Sequence, residues 1–436
     1  MKKIILFVFI IVVLVYSHWY VTSNFERRLK TTPQDATTYL QPITADKAFF
    51  TNQEQTTLKQ QYLCHYFSPW TGKCLLMDNA NIKSQEIENI NKFTTQPGWA
   101  ANMHPHNREW INTVVDNMEI STFPNSHIKA ITIRNSNLRE LPSNEPSFKT
   151  QQDDSSDGYP FDLLQASYLP ANTPVLLLQT SKDKVWDLVL TPNAVGWLPH
   201  EDINYVTNDF IQRWHTENYV AALKDNTIAR LGVIYPLIST ANDHYKILVT
   251  QASADHIAVI QTENLSKKYV APLPVLATPK NIAIIANSLL GKPYGWGGMY
   301  GYRDCSATMM DLFAPFAIWL PRNSKQQLQT GKFISLANKS NEEKRLLIRK
   351  FGVPSLSLIG LKGHIVLYLG DKNDQLYVYQ TMWGSHNMFG WRKSVVGRTV
   401  ITPFVGGLLD KAIGVTMLLP GAEERTRTST GRPTST

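Results

Sequence analysis

"PYGWGGMYGYRDCSATMMDLF", residues 293–313, places Cys305 after a loop rich in glycine and aromatic residues and at the start of a helical pattern. The chain has three cysteines in 436 residues, so Cys305 is either a small buried side chain or a nucleophile. The first turn of a helix presents unpaired N–H groups and a positive dipole end, which favour a thiolate. The pattern makes Cys305 a candidate nucleophile.

A base and a group that orients it follow later in the chain. His364 opens the apolar run "GHIVLYLG", and Gln380 lies about sixteen residues further on in "YVYQTMWG", the distance expected for a hairpin partner. Taken alone, His364 is better explained as a core histidine and Gln380 as a polar residue at a strand edge. Together with Cys305 they form a pattern typical of cysteine hydrolases.

The surroundings of these residues predict an α+β domain over residues 273–420. Thr278 and Gly291 are the start and stop signals of a helix, which is followed by the glycine-rich loop, the Cys305 helix and two adjacent strands. The polar residues 421–436 contain no apolar face, so we expect a disordered tail.

Upstream, the pattern changes twice. Residues 126–204 and 205–272 each contain short apolar strands broken by turn residues, which predicts two small β-barrels in tandem. Residues 22–125 mix helical and irregular segments. Within them "HPHNREW" (104–110) has two histidines; a metal site there is a weaker interpretation than loop histidines at the surface.

The N-terminus predicts export. Lys2 and Lys3 precede an apolar run from Ile4 to Tyr16, the pattern of a signal peptide. The run is shorter than the ~20 residues that span a bilayer comfortably, and no small-residue cleavage site is clear. A cleaved signal peptide and a membrane anchor over residues 1–21 both stay open. The expected location is the periplasm or cell envelope, at the inner membrane in the case of an anchor.

Composition narrows the partners and the thiol chemistry. The net charge of +8 is spread along the chain without arginine-rich runs, which argues against nucleic-acid binding. Cys64 and Cys74 are close enough in sequence to close a disulfide loop in an oxidising compartment, although unpaired buried thiols are an alternative. We expect no metal or other cofactor, because the thiolate is the reactive group. We also expect a monomer.

Several motifs together resemble the NlpC family of bacterial cell-wall cysteine peptidases, which have a compact papain-like fold. The motifs are "GKPYGWGG", "RDCSA", "LPRNSKQQ", "GHIVLYLG" and "YVYQTMWG", in the family's order over about 275–420. The upstream part resembles, more weakly, family members in which a helical stabilising domain and two bacterial SH3-like barrels precede the peptidase.

The resemblance implies hydrolysis of the γ-D-glutamyl–meso-diaminopimelate (or lysine) bond of peptidoglycan stem peptides. By position, Cys305 is the nucleophile, His364 the general base and Gln380 the residue that orients the imidazole. Many relatives have histidine in place of Gln380, although the family tolerates Gln or Asn there, so both a weaker and an ordinary orienting group stay open. Ala307 replaces a common glycine, which matters only if the cleft is tight there.

The resemblance also implies substrate contacts. Tyr294 and Trp296 are expected to line the cleft, and Asp304 and Ser306 to hold the substrate's free amino end and D-Glu carboxylate. In related enzymes the first barrel narrows the pocket so that only stems with a free N-terminal L-Ala enter. Asp162 and Tyr168 are candidates for this role, and the sequence does not choose between them.

Two other functions stay open. One is a non-catalytic peptidoglycan-binding protein, against which the intact Cys305, His364 and Gln380 argue. The other keeps the fold but performs an amidase or acyltransferase reaction, because a thiol–imidazole pair supports several acyl chemistries.

Overall fold

The computed structural model of the chain describes residues 28–151, 158–386 and 393–419. The predicted export segment (1–21) and tail (421–436) lie outside these residues. Within them the protein is α+β, as predicted: helices come first, two antiparallel β-domains follow, and a mixed domain carries Cys305. No helix in the described ranges combines the length and apolar character needed to cross a membrane.

The helices of the N-terminal domain begin at side-chain caps. Thr51 forms a reciprocal capping box with Glu54, and the side chains of Asp78 and Asn107 each accept a hydrogen bond from a first-turn N–H group. Such caps satisfy backbone donors that have no partner inside the helix. The helices are α1 (Asn52–Tyr66), α2 (Ser68–Thr71), α3 (Asn79–Thr95) and α4 (Arg108–Met118), with single 3-10 turns at Ala36–Tyr39 and Ile120–Thr122.

Cys64 and Cys74 form a disulfide, one of the two alternatives that the sequence left open. It joins the last turn of α1 to the segment after α2, beside His65, whose Nδ1 lies 2.9 Å from the Cys74 carbonyl oxygen. The His65 ring stacks on Trp319 of the Cys305 domain with centroids 3.9 Å apart. The crosslinked loop therefore packs directly on the C-terminal domain.

Of the two histidines in "HPHNREW", His106 makes contacts that account for its position without a metal. Its ring stacks on Trp110 at 3.6 Å, and its Nε2 lies 2.9 Å from the Pro146 carbonyl oxygen. Over the described part of the chain, no three or more His, Cys, Asp or Glu side chains are grouped so that they could hold a metal.

The first barrel is an antiparallel sheet of seven strands in the order β3-β2-β6-β5-β4-β1-β7. Its inward faces are almost completely buried, with Trp197 and Leu188 fully covered. The strands are β1 (Ile128–Thr132), β2 (Ser136–Arg139), β3 (Gln165–Leu169), β4 (Pro174–Thr180), β5 (Trp186–Leu190), β6 (Val195–Pro199) and β7 (Ile203–Tyr205), with a 3-10 turn at His200–Asp202.

The second barrel is an antiparallel sheet of five strands in the order β11-β10-β9-β8-β12. It is joined to the first barrel by backbone hydrogen bonds: Tyr205 N–H donates to the His256 carbonyl at 2.7 Å, and Ala258 N–H to the Tyr205 carbonyl at 2.8 Å. After α5 (Asn208–Trp214), the strands are β8 (Tyr219–Ala222), β9 (Ile234–Thr240), β10 (His244–Gln251), β11 (Val259–Ser266) and β12 (Val270–Pro272).

The C-terminal domain packs helices against an antiparallel sheet of six strands in the order β13-β18-β14-β15-β16-β17. Its helices are α6 (Pro279–Asn287), α7 (Cys305–Phe313), α8 (Ser324–Leu328), α9 (Asn341–Phe351) and α10 (Gly407–Asp410), with 3-10 turns at Trp296–Gly301 and Ala314–Phe316. Its strands are β13 (Lys332–Ser335), β14 (Ser357–Leu361), β15 (His364–Lys372), β16 (Gln375–His386), β17 (Lys393–Pro403) and β18 (Ala412–Met417).

A buried carboxyl group lies where α3 packs on the first barrel. Glu86 is fully buried and accepts a hydrogen bond from the Trp197 indole at 2.8 Å through one oxygen. Its other oxygen has no partner among the described residues. Burial raises the pKa of Glu86 to about 8, and the nearby Glu140 adds to the rise. The folded protein therefore holds a proton here that an unfolded chain releases near pH 4.5.

We predict that Glu86 makes stability fall as pH rises. Between the ordinary pKa of a glutamate and the folded value of about 8, the folded state binds more protons than the unfolded state. Replacing Glu86 by Gln should remove this pH dependence. The free energy of unfolding of Glu86→Gln minus that of wild type should therefore be larger at pH 8 than at pH 5, by on the order of a few kcal/mol.

Urea unfolding at the two pH values measures this difference. Glu88→Gln is the matched control, because Glu88 lies on the same helix and is exposed. An equal difference between wild type and Glu86→Gln at both pH values would contradict the prediction.

Candidate active site

Cys305 is the first residue of α7, as the sequence predicted, and its side chain is half-buried. Asp304 is the N-cap: its carboxylate accepts the Ala307 N–H at 2.8 Å. The preceding loop passes close to the first barrel at Gly297 and Gly298, which have φ of +57° and +88°. A Cβ on either glycine would lie 2.5 Å from atoms of strand β3. The glycines are therefore needed for this close approach.

Two backbone amides point at the Cys305 sulfur, those of Ile365 and Ser306, and each lowers the pKa of the thiol. Burial and the charge of Asp304 act in the other direction and prevail, raising the pKa of Cys305 to about 12. The thiol is therefore neutral in the free protein. It needs a base at the moment it attacks a substrate.

His364 and Gln380 meet as the sequence predicted. Nε2 of His364 lies 2.8 Å from Oε1 of Gln380, and the amide of Gln380 donates to the Thr402 hydroxyl at 2.6 Å. Because the Gln380 oxygen faces the ring, Nε2 carries the proton and Nδ1 keeps its lone pair. Burial lowers the pKa of His364 below its ordinary value of 6.5, outweighing the effect of Gln380, so the imidazole is available as a base.

The distance between thiol and imidazole is controlled by the sheet. Ile365, whose amide contacts the Cys305 sulfur, directly follows His364 on β15. The Thr308 hydroxyl on α7 lies 2.6 Å from that of Thr381 on β16, which in turn lies 2.8 Å from the Thr399 hydroxyl. This buried hydroxyl chain holds the nucleophile helix against the strands that carry the base.

Arg322 is the site residue to which sequence reasoning assigned no role. Its guanidinium bonds both oxygens of Asp304, at 2.6 and 3.2 Å, and the Ser306 hydroxyl at 2.8 Å. Burial would raise the pKa of Asp304, but the charge and hydrogen bonds of Arg322 outweigh it and hold this pKa below its usual value. The signal was present in "LPRNSKQQ", a motif noted only as part of the family pattern.

Arg322 also joins the site to the first barrel. Its Nε donates to the Ser167 hydroxyl on β3 at 3.0 Å. The Asn193 side chain, from the β5–β6 loop, donates to the Leu320 carbonyl at 2.8 Å. The first barrel therefore forms one wall beside the nucleophile.

Aromatic side chains from both domains line the same region. The Trp296 indole donates to the backbone carbonyl of Asp162 at 2.9 Å, and its ring meets Phe161 edge to face at 5.1 Å. Trp383 lies 6.3 Å from Phe161 and 5.8 Å from Tyr294. The charges of Asp304 and Cys305 contribute to a raised pKa of Tyr294, for which burial is the main cause, and this places Tyr294 beside the thiol.

The two first-barrel candidates differ in their surroundings. The Asp162 carboxylate bonds Arg139 at 2.7 Å and two backbone amides, so all its contacts lie within the barrel. Only the backbone carbonyl of Asp162 contacts the site, through the Trp296 indole. Tyr168 packs under Gly298 and against Arg230. Asp304 and Ser306 lie beside Cys305 and are bound to Arg322; their contacts with a substrate stay a prediction.

A thiol on a helix start, an imidazole on the adjacent strand and a carboxamide behind it define a papain-like cysteine peptidase. Three protein-family models match the chain: the NLPC_P60 stabilising domain at residues 7–123, an SH3 domain of the SH3b1 type at 146–199, and the NlpC/P60 family at 291–376. The protein belongs to the NlpC/P60 family, as its motifs indicated.

Solved structures are similar to this chain. An NlpC/P60 endopeptidase from Photobacterium damselae subsp. piscicida is 26% identical, with a TM-score of 0.79, over 89% of this chain and 98% of its own. An NlpC/P60 family protein from Bacillus cereus is 17% identical, with a TM-score of 0.44, over 59% and 83% of the two chains. No curated protein matches this chain.

We predict that Asp304 and Arg322 shift the reactivity of the thiol in opposite directions. Asp304 raises the pKa of Cys305 and Arg322 lowers it. Asp304→Asn should therefore alkylate faster with iodoacetamide near neutral pH than wild type, and Arg322→Met should alkylate slower, each by roughly tenfold for one unit of pKa. The rate as a function of pH measures this directly, because Cys305 is the free cysteine and the other two are joined.

Lys325→Met, at an exposed lysine nearby, is the matched control and should not change the rate. Removing one member of a buried ion pair can unfold a protein. The double variant Asp304→Asn/Arg322→Met removes both charges and should alkylate between the two single variants. Shifts in the same direction for both single variants would refute this account.

Proposed function

We propose that the protein is a peptidoglycan hydrolase that cleaves the γ-D-glutamyl–meso-diaminopimelate (or lysine) bond of stem peptides, with preference for stems that have a free N-terminal L-Ala. The observation that carries the proposal is that the nucleophile Cys305 and the base His364 lie beside a wall formed by the first barrel. The NlpC/P60 endopeptidase from Photobacterium, similar over 89% of this chain, supports it.

The geometry supports the following reaction. Nδ1 of His364 takes the Cys305 proton as the sulfur attacks the γ-carbonyl carbon of D-Glu, and the carbonyl oxygen becomes an oxyanion. The Cys305 backbone N–H lies in the first turn of α7, where it has no partner inside the helix, and can donate to this oxyanion. The imidazolium then protonates the leaving amine, and the acyl–sulfur bond is hydrolysed by water that His364 activates.

The position of the first barrel supports the preference for stems with a free N-terminal L-Ala. Ser167 and Phe161 close one side of the site, bound to Arg322 and packed on Trp296 respectively. A stem whose L-Ala nitrogen is still in an amide bond to the glycan would have to pass this wall. The charge of Asp304 acts on the thiol, and a terminal ammonium would share this carboxylate with Arg322.

Export to the periplasm or cell envelope belongs to the same proposal. A peptidoglycan substrate lies outside the cytoplasmic membrane, and the charged, then apolar start of the chain has the pattern of an export signal. The Cys64–Cys74 disulfide supports an oxidising compartment.

The direct test is hydrolysis of L-Ala-γ-D-Glu-meso-diaminopimelate by the purified protein, with release of L-Ala-D-Glu followed by mass spectrometry. Wild type should turn over this peptide, and Cys305→Ala should not. N-acetylation of the L-Ala should reduce turnover by at least about tenfold, because the ammonium–carboxylate attraction is lost. No turnover by wild type, or equal turnover by Cys305→Ala, would refute the hydrolase; undiminished cleavage of the acetylated peptide would refute the amino-end preference.

The pH profile tests the neutral thiol–imidazole pair. Burial lowers the pKa of His364 below 6.5, and activity needs its neutral form, so kcat/KM should rise with pH through a midpoint below 6.5. Because burial holds the pKa of Cys305 at about 12, no second ionisation should reduce activity in the mildly alkaline range. A bell-shaped profile with an alkaline fall below about pH 9 would instead indicate a preformed thiolate–imidazolium pair.

A further inference from the structure

A cavity of about 270 Å³, whose lining does not include Cys305, His364 or Gln380, lies where the two barrels and the C-terminal domain meet. The proposed reaction makes no use of it. Each of the three units contributes to its lining: Tyr168 and Asn172 from the first barrel, Asn226 and Thr227 from the second, and Lys292 and Tyr302 from the C-terminal domain.

Two side-chain amides in the lining have hydrogen-bond donors left over. The Asn172 oxygen accepts the backbone N–H and the hydroxyl of Thr250, at 2.7 and 2.9 Å. The Asn226 oxygen accepts the N–H groups of Ile228 and Ala229, at 2.7 Å each. These bonds hold the two amides in place, and within the described ranges their NH₂ groups have no acceptor. Each NH₂ group is therefore a donor that a ligand oxygen in the cavity could accept from.

The arginines beside the cavity are already paired. Arg230 bonds Asp311 at 3.0 Å, and Arg303 bonds Asp225 through two nitrogens at 2.7 Å each. Lys292 is exposed and makes no ion pair with a described residue. The lining therefore offers amides, hydroxyls and phenol rings with little unpaired charge, which does not suit a polyanion.

The aromatic part of the lining is open to a ligand. Tyr302 is 42% exposed, although it adjoins the buried Arg303. Tyr168 has one ring face covered by the Arg230 guanidinium, at 4.9 Å from the ring centroid. A phenol ring beside fixed amide donors presents an apolar face and polar groups at the same place. A pyranose ring has the complementary surface: C–H groups on its face and hydroxyl or acetamido oxygens at its edge.

We propose that this cavity binds the glycan of peptidoglycan, taking an N-acetylated hexosamine unit with its face on Tyr302 and its oxygens on the amides of Asn172 and Asn226. The inference rests on the proposed function for the identity of the polymer. Bound there, the glycan would hold the enzyme on the wall while the separate cleft at Cys305 processes stem peptides that have been released from the glycan. The site lies on three domains at once, so it exists only when they are packed together.

Calorimetric titration of the full chain with N-acetylchitotetraose, and with glycan strands from which an amidase has removed the peptides, tests the proposal. Wild type should bind both ligands. Tyr302→Ala removes the stacking surface, and Thr227→Trp fills the cavity from an exposed loop position; each should weaken binding by about tenfold or more. Tyr159→Ala is the matched control, because Tyr159 is also 42% exposed but does not line the cavity, and it should bind like wild type.

Four results would overturn the proposal: no binding by wild type, unchanged binding by both cavity variants, displacement of the glycan by the stem tripeptide, or an affinity that falls steeply with salt. The last would indicate an anionic polymer. Turnover of the free tripeptide is measured in parallel. Loss of glycan binding by Thr227→Trp with normal tripeptide turnover supports the glycan site, whereas absent turnover in wild type refutes the proposed function separately.

Discussion

The buried ion pair between Asp304 and Arg322 is the interaction on which the site depends. A buried carboxylate is costly unless its hydrogen bonds are filled, and here the Gly297 and Ala307 amides and the Arg322 guanidinium fill them. The same carboxylate begins the nucleophile helix and holds the glycine-rich loop, and the same guanidinium reaches Ser167 of the first barrel. Helix start, loop and domain contact are thus coupled through one pair of charges.

This ion pair also explains why the Cys305 thiol is protonated and unreactive in the free protein. Asp304 raises the pKa of Cys305 and Arg322 lowers it, so the nearest full charges partly cancel and burial decides the outcome. A neutral thiol is a poor target for oxidants, which react with thiolates. The nucleophile is then formed only with a substrate in place, when proton transfer to His364 is coupled to attack. If the enzyme is exported, as proposed, this arrangement would protect its nucleophile in an oxidising compartment.

The sequence predicted the α+β fold and the meeting of His364 with Gln380, because these depend on local signals: a helix cap, an apolar strand and a hairpin distance. It did not predict the role of Arg322, because an arginine in an irregular segment is normally assigned to the surface and only tertiary packing buries it. The contacts of Ser167, Phe161 and Trp383 were missed for the same reason. Asp162 shows a further limit: its backbone carbonyl, and not its carboxylate, contacts the site, and sequence patterns describe side chains.

The first barrel has a consequence for how the protein can be divided. The Trp296 indole donates to a carbonyl of that barrel, and strand β3 comes so close to Gly297 and Gly298 that a side chain there would clash with it. Cut away from the barrel, the catalytic domain would expose the Trp296 ring, leave its N–H to water and lose one side of its cleft. A natural or engineered exchange of barrels would therefore have to carry β3 and its neighbouring loops along. In this protein two domains form the active site together, and a fragment that begins after the barrels would contain only part of it.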